Sequence, residues 1–322
     1  MSGIYNILSQ RYNLQPRESV LVIYDDKKES IARGFMDISR RIGARVTGLK
    51  LGKKRFEDRF DRILTTIKKG RYDLYINVFE SRSEETRYRL ALTRAESDAG
   101  GTIGHGPGLT RHMVSVNIDY ADLSDKADRL RAILKGASHV RIETRLGMDL
   151  VVHIRGRKFH DDIQRRSRIS NIPCGEIWCA PVETKGGGVL VADGSAGSIG
   201  LLPQPLRIGV DRARITDMRW LNDPRRNTTM LRKIRSILTI DDGAGVFGEF
   251  GIGLAPFDLS GNLLQDEKAA GTIHIAFGDS FFYGGKNKSK THFDLLVRNP
   301  VVTAFYAGGR SRVFMDRGKL IF

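Results

Sequence analysis

Cysteine is nearly absent from this chain. Its 322 residues hold only two, Cys174 and Cys179, outside any Cys-x-x-Cys pattern. That excludes a disulfide scaffold and a thiolate zinc knuckle, and two reduced thiols are expected. Long apolar runs are missing as well: none approaches the ~18 residues that span a bilayer, so no membrane partner is expected. The opening residues, Met-Ser-Gly-Ile-Tyr-Asn, have neither the charged region nor the apolar core of a secretory signal. A cytoplasmic protein is the expectation. There is no low-complexity segment, and 40% hydrophobic with 28% charged residues is the composition of a globular chain. The length leaves room for two domains, each with its own core.

Acidic residues are the remaining shortage. Lys and Arg number 53 against 37 Asp and Glu, for a net charge of +16. The excess is spread along the chain, with 22 basic and 15 acidic residues over 1–120 and 31 and 22 over 121–322. Basic clusters occur at Lys53-Lys54-Arg55, at Arg165-Arg166 with Arg168, at Arg225-Arg226 and from Lys286 to Lys290. A nucleic-acid binder concentrates its charge in a stripe or arm; here a solvated basic surface is expected, and no nucleic-acid partner. The glycine- and lysine-rich connection Gly284 to Lys290 is the exception, able to select an anionic substrate group if it borders a site.

The first third alternates between strand and helix. Ser19-Val-Leu-Val-Ile-Tyr24 is a continuous apolar run suited to a strand covered on both faces. Ile31, Phe35, Ile38 and Ile42 keep one helical face apolar. Arg45–Leu49 and Asp73–Phe79 read as further strands, and Phe56–Ile67 and Glu84–Glu96 as helices. The alternation predicts an α/β domain over 1–120, a parallel sheet flanked by helices. No Gly-x-Gly-x-x-Gly follows the first strand, which speaks against a dinucleotide site. Gly104-His105-Gly106-Pro107-Gly108 reads as a surface turn.

A helical linker over 119–137 leads into a second domain, 121–322, which reads as mainly antiparallel β. Val140–Thr144 and Leu150–Ile154 are its first strands, and His139, His153 and His160 read as surface or packing residues. The richest stretch is Gly271 to Asp294. Ile273, Ile275 and Phe277 form the buried face of one strand, Phe293, Leu295 and Val297 that of the next. His274, His292 and Asp294 lie on the opposite faces. Two histidines and a carboxylate are a recurrent metal-binding combination; hydrogen-bonded polar groups at a sheet end are the alternative. Glu176, ahead of Trp178 and Ala180, and Glu249, in line with Gly251 and Gly253, are two further carboxylates beside turns. The two glycines leave space for something to approach the backbone.

The succession Asn-Ile-Pro-x-Gly-Glu176, Gly-Glu249-x-Gly-Ile-Gly-Leu, Asp266-Glu-Lys-x-x-Gly-Thr-Ile-His274 and His292-x-Asp294 resembles the aminopeptidase T/aminopeptidase S family of metallo-aminopeptidases. It is most similar to a short branch of that family, within a superfamily that also holds ring-cleaving dioxygenases of the dihydroxypyridine type. The resemblance implies metal ligands at Glu176, Glu249, His274, His292 and Asp294, and a homodimer. It implies two divalent ions, zinc, cobalt or manganese, with Glu176 or Glu249 shuttling a proton during hydrolysis of a peptide from its N-terminus. The superfamily alternative implies one Fe(II) held by His274, His292 and Asp294, acting on a small molecule. A non-catalytic binding protein on the same fold is the third reading. The family's typical tyrosine falls at Phe281 here, with Tyr283 close by, and Cys174 falls two residues before Glu176.

Overall fold

Val20, Leu21, Val22 and Ile23 are completely buried, as a strand must be when helices cover both faces of its sheet. They form the centre of β1 (Ser19–Tyr24) in a computed structural model that describes residues 2–164 and 168–322. The Arg165-Arg166 pair lies outside the described residues. The chain divides into two compact units, Met1–Ser124 with Asp162–Cys174, and Asp125–Asp161 with Gly175–Phe322.

In the first unit β1 is followed by α1 (Glu29–Ile42), β2 (Arg45–Lys50), α2 (Phe56–Gly70), β3 (Leu74–Val78), α3 (Thr86–Asp98) and β4 (Thr102–His105). β1 lies between β2 and β3, β4 flanks β3, and every pair is parallel. The expected parallel α/β architecture is therefore present. α1 buries Ile31, Phe35 and Ile38 and ends where Gly43 takes φ +99°, its N–H returning to the Ser39 and Arg40 carbonyls. Phe56, Ile63, Ile67, Tyr75, Phe79 and Leu92 are buried together with Leu21 and Ile23 of β1 in a core formed by α2, α3 and the sheet.

Three features depart from the sequence expectation. Gly104 and His105 lie in β4 and not in a surface turn. A side chain at 104 would meet the Ile172 Cδ1 and the Tyr12 hydroxyl at 2.6 Å, so the glycine serves close packing. The segment Asp162–Cys174 returns to the first unit, where β5 (Ile169–Asn171) extends the sheet parallel to β4. Within the basic cluster Lys53-Lys54-Arg55, the two lysines are exposed but Arg55 is buried. Its guanidinium donates to Asp25, Glu85 and the Glu80 carbonyl, partners a buried cation requires.

The second unit contains two antiparallel sheets among the described residues. The eight-stranded one includes His139–Glu143 and Asp149–His153, where the expected pair lies, and continues through Val301–Phe305 and Ser311–Asp316 to the edge strand Lys319–Leu320. There His139 stacks on Phe305 and lies beside His153, a packing role. The seven-stranded sheet carries β6 (Glu176–Cys179), β7 (Phe247–Gly253), β8 (Thr272–Gly278) and β9 (His292–Arg298) side by side in that order. One face of these strands is apolar and buried: Ile177, Phe250, Ile252, Ile273, Ile275, Phe277, Phe293, Leu295 and Val297. Among the described residues no helix is long and apolar enough to cross a membrane.

Candidate metal centre

Residues opposite one another in an antiparallel pair share a face. Gly253 is opposite Glu176, Gly251 is opposite both Trp178 and His274, Ala276 is opposite Glu249 and Asp294, and Gly278 is opposite His292. The five singled-out side chains therefore project from one face of four adjacent strands. Their facing neighbours are mostly glycine or alanine, and that is where the space comes from. A Cβ on Gly251 would fall 1.9 Å from His274 Nε2; the imidazole fills the place of the missing side chain. A β-bulge between Phe247 and Glu249 completes the arrangement. It lets Phe247 face the core against Phe277 while Glu249, two residues on, faces the site.

Contacts link all five. His274 Nε2 lies 3.1 Å from Glu249 Oε1 and 3.6 Å from Glu176 Oε2. His292 Nε2 lies 3.4 Å from Glu249 Oε2 and 3.5 Å from Asp294 Oδ1. Ligating atoms of Glu176, Glu249 and His274 lie within 4.8 Å of one another, a spacing that can hold a metal ion. Four of the five are buried, and His292 is partly exposed. His292 Nδ1 donates to the Asp279 carbonyl at 2.7 Å. That bond fixes the ring so that Nε2 faces the carboxylates, the orientation a metal-binding imidazole needs.

The electrostatics fit a cation. Burial by itself raises the Glu249 carboxyl, but contacts with His274 and His292 outweigh it and hold the group below its ordinary value. Asp294 is lowered against the same burial, by His292 first and then His274 and Lys268. Burial would lower His274, yet Glu249, Glu176 and Asp294 push it up to about 9. The imidazoles thus hold protons as counter-charges to three buried carboxylates. A divalent ion satisfies the same carboxylates with the imidazoles neutral, as ligands must be. The donor set is oxygen and nitrogen without thiolate, suited to zinc, manganese, cobalt or iron.

Other expected residues fall outside this cluster or beside it. Cys174 is buried in the first unit, its thiol donating to the Asn171 carbonyl and pushed up to about 12 by burial; it is an inert thiol. Phe281 is half exposed, whereas the Tyr283 ring lies 5.4 Å from that of His292 and edge-on to Trp178. Burial raises the Tyr283 phenol, so it stands protonated. His160 stacks on Trp178. Two further charged residues, Glu267 and Lys268, adjoin the cluster through Glu176. Lys268 Nζ lies 2.9 Å from Glu176 Oε1 and 2.5 Å from Glu267 Oε1. Their signal was a run of three charges, Asp266-Glu267-Lys268, directly ahead of a strand too apolar to lie at the surface.

Over 99% of this chain and 96% of that chain, the structure matches 2,5-dihydroxypyridine dioxygenase from Pseudomonas putida KT2440 at a TM-score of 0.74 and 14% identity. It matches wild-type AmpT from Thermus thermophilus over 99% and 98% of the two chains, at a TM-score of 0.71 and 18% identity. At these identities the likeness is one of fold. A search of curated proteins finds no match. The thermophilic metalloprotease (M29) family matches residues 118–320, which span the whole candidate centre. The chain belongs to that family, a family of metal-dependent peptidases.

Proposed function

We propose that this protein is a metallo-aminopeptidase whose centre, formed by Glu176, Glu249, His274, His292 and Asp294, holds two divalent ions. The observation that carries the reading is the convergence of all five side chains on one face of the sheet, with His274 Nε2 within 3.6 Å of two carboxylates. Zinc, cobalt or manganese suits these donors and, when bound, lowers the pKa of a coordinated water and polarises a peptide carbonyl. The chain's own groups do the rest. Asp279 holds the His292 ring in place through its carbonyl. Glu176 or Glu249 carries a proton to the leaving amine. A carboxylate of the set receives the free α-ammonium of the peptide, which restricts cleavage to the first residue. The protonated Tyr283 hydroxyl is a donor beside the site, two residues from position 281, where the family's tyrosine falls. Lys286, Lys288 and Lys290 on the adjoining connection favour a substrate with an anionic group. A cytoplasmic homodimer is the form we propose.

His292→Ala and Asp294→Ala test this directly. Each is expected to abolish metal-dependent release of N-terminal residues while leaving the far-UV circular dichroism unchanged. Full activity of the wild-type enzyme after exhaustive chelation would refute the reading. A second reading rests on His274, His292 and Asp294 forming a two-histidine, one-carboxylate set, together with the fold shared with the dioxygenase. Elemental analysis separates the two. Two ions per chain support the peptidase, while one ferrous ion with oxygen consumption on a ring substrate supports the dioxygenase. Salt-sensitive nucleic-acid binding without metal would favour a non-catalytic protein.

A further inference from the structure

Lys268 is completely buried, a costly place for an ammonium group. Its backbone is drawn in by Gly253, the residue opposite Glu176. A Cβ on Gly253 would stand 2.2 Å from the Ala269 carbonyl oxygen and 2.8 Å from the Lys268 carbonyl carbon. The Lys268 carbonyl accepts the Ala255 N–H at 2.8 Å. Just before it, the Asp266 carboxylate is anchored by Ser195 Oγ, Ser260 Oγ and the Ser260 and Gly261 amides. The main chain on both sides of the lysine is thus fixed, and Nζ is delivered to Glu176 Oε1 at 2.9 Å. The other oxygen, Oε2, faces His274 Nε2.

We propose that Lys268 is a positioning residue of the centre: by holding Glu176 through Oε1 it leaves Oε2 as the one oxygen presented to the ion. This deepens the metal-centre reading and rests on it. Glu176 stands at the end of a four-residue strand, where an unheld carboxylate has several rotamers open to it. A ligand's hydrogen-bonded partner commonly fixes such a choice, and losing it typically costs about 10–100-fold in metal affinity. Glu267, at 2.5 Å on the other side of Nζ, balances the ammonium and keeps it from turning away.

The test is a titration of metal-free protein with Co2+, read by calorimetry and by visible absorption, on wild type and three variants. Lys268→Met removes the tether. The double variant Glu267→Gln with Lys268→Met removes it without leaving two facing carboxylates, and so guards against misfolding of the single variant. Lys268→Arg keeps the charge. The expected result is a loss of about 10–100-fold in Co2+ affinity in both methionine variants, a changed cobalt spectrum, and partial recovery with arginine. A folded methionine variant, single or double, with wild-type affinity and spectrum would overturn the assignment. A wild-type protein that takes up no divalent ion would instead bring down the metal centre itself, and this inference with it.

Discussion

Gly251→Ala probes the centre without replacing any candidate ligand. The added Cβ would lie 1.9 Å from His274 Nε2 and 2.2 Å from Cε1. Non-bonded carbon and nitrogen need about 3.5 Å, so the imidazole must retreat by roughly 1.5 Å. Overpacking of this kind costs about 1–3 kcal/mol. The effect on binding is larger, because ligand distances hold to within about 0.2 Å. The expected outcome is a folded protein with a lowered melting temperature that loses its metal on dialysis. Combining the change with His274→Ala makes the argument quantitative. Once the ring is gone the methyl group has nothing to strike, and the stability cost of Gly251→Ala should vanish. The cycle then yields a coupling of about 1–3 kcal/mol. Denaturant unfolding of the four metal-free proteins measures the cycle, and elemental analysis reports ion content. A Gly251→Ala protein with wild-type ion content and melting temperature, or strictly additive stabilities, would refute the reasoning.

Two further outcomes follow from the buried acids and imidazoles. Metal uptake at pH 7.5 should release protons, since His274 is held up to about 9 by its carboxylate neighbours and a ligating imidazole must be neutral; calorimetry in buffers of different ionisation heat counts them. In the first unit Glu96 is fully buried, accepts the Asn77 side-chain N–H and is pushed up to about 8 by burial. Between its ordinary 4.5 and about 8 the folded state keeps a proton that the unfolded chain has released, so stability falls as pH rises through that window. Glu96→Gln should flatten the fall from pH 5 to 8 by on the order of 4 kcal/mol, as read from urea midpoints; an unchanged pH profile would count against a buried neutral Glu96.

Much of the architecture was legible in the pattern of apolar residues. The run Val20–Ile23 can only be a strand buried on both faces, and the alternation of Ile273, Ile275 and Phe277 with Thr272, His274 and Ala276 dictates which way His274 points. The shared face of the candidate site was legible for the same reason, since strict alternation on β8 and β9 puts both imidazoles and Asp294 opposite the core. β4 was missed because its four residues, Thr102 to His105, include one large apolar side chain and stand among glycines at 100, 101 and 106, with Gly104 itself serving close packing. The return of Asp162–Cys174 depends on a pairing between segments far apart in sequence, which no local pattern encodes. Arg55 reads as a solvated charge because its neutralising carboxylates, Asp25 and Glu85, come from elsewhere in the chain, as does Glu176, the more distant partner of Lys268.

The bulge at Phe247 and Glu249 bears on how such proteins are recognised from sequence alone. If the surplus residue migrated one pair further along β7, beyond Glu249, that carboxylate would turn into the hydrocarbon side and the candidate centre would lose a donor, with no amino acid altered. An ion held by the proposed centre would resist the migration and so pin the strand registration. Two homologues with identical ligand motifs can therefore differ in metal content through nothing more than where one strand keeps its slack.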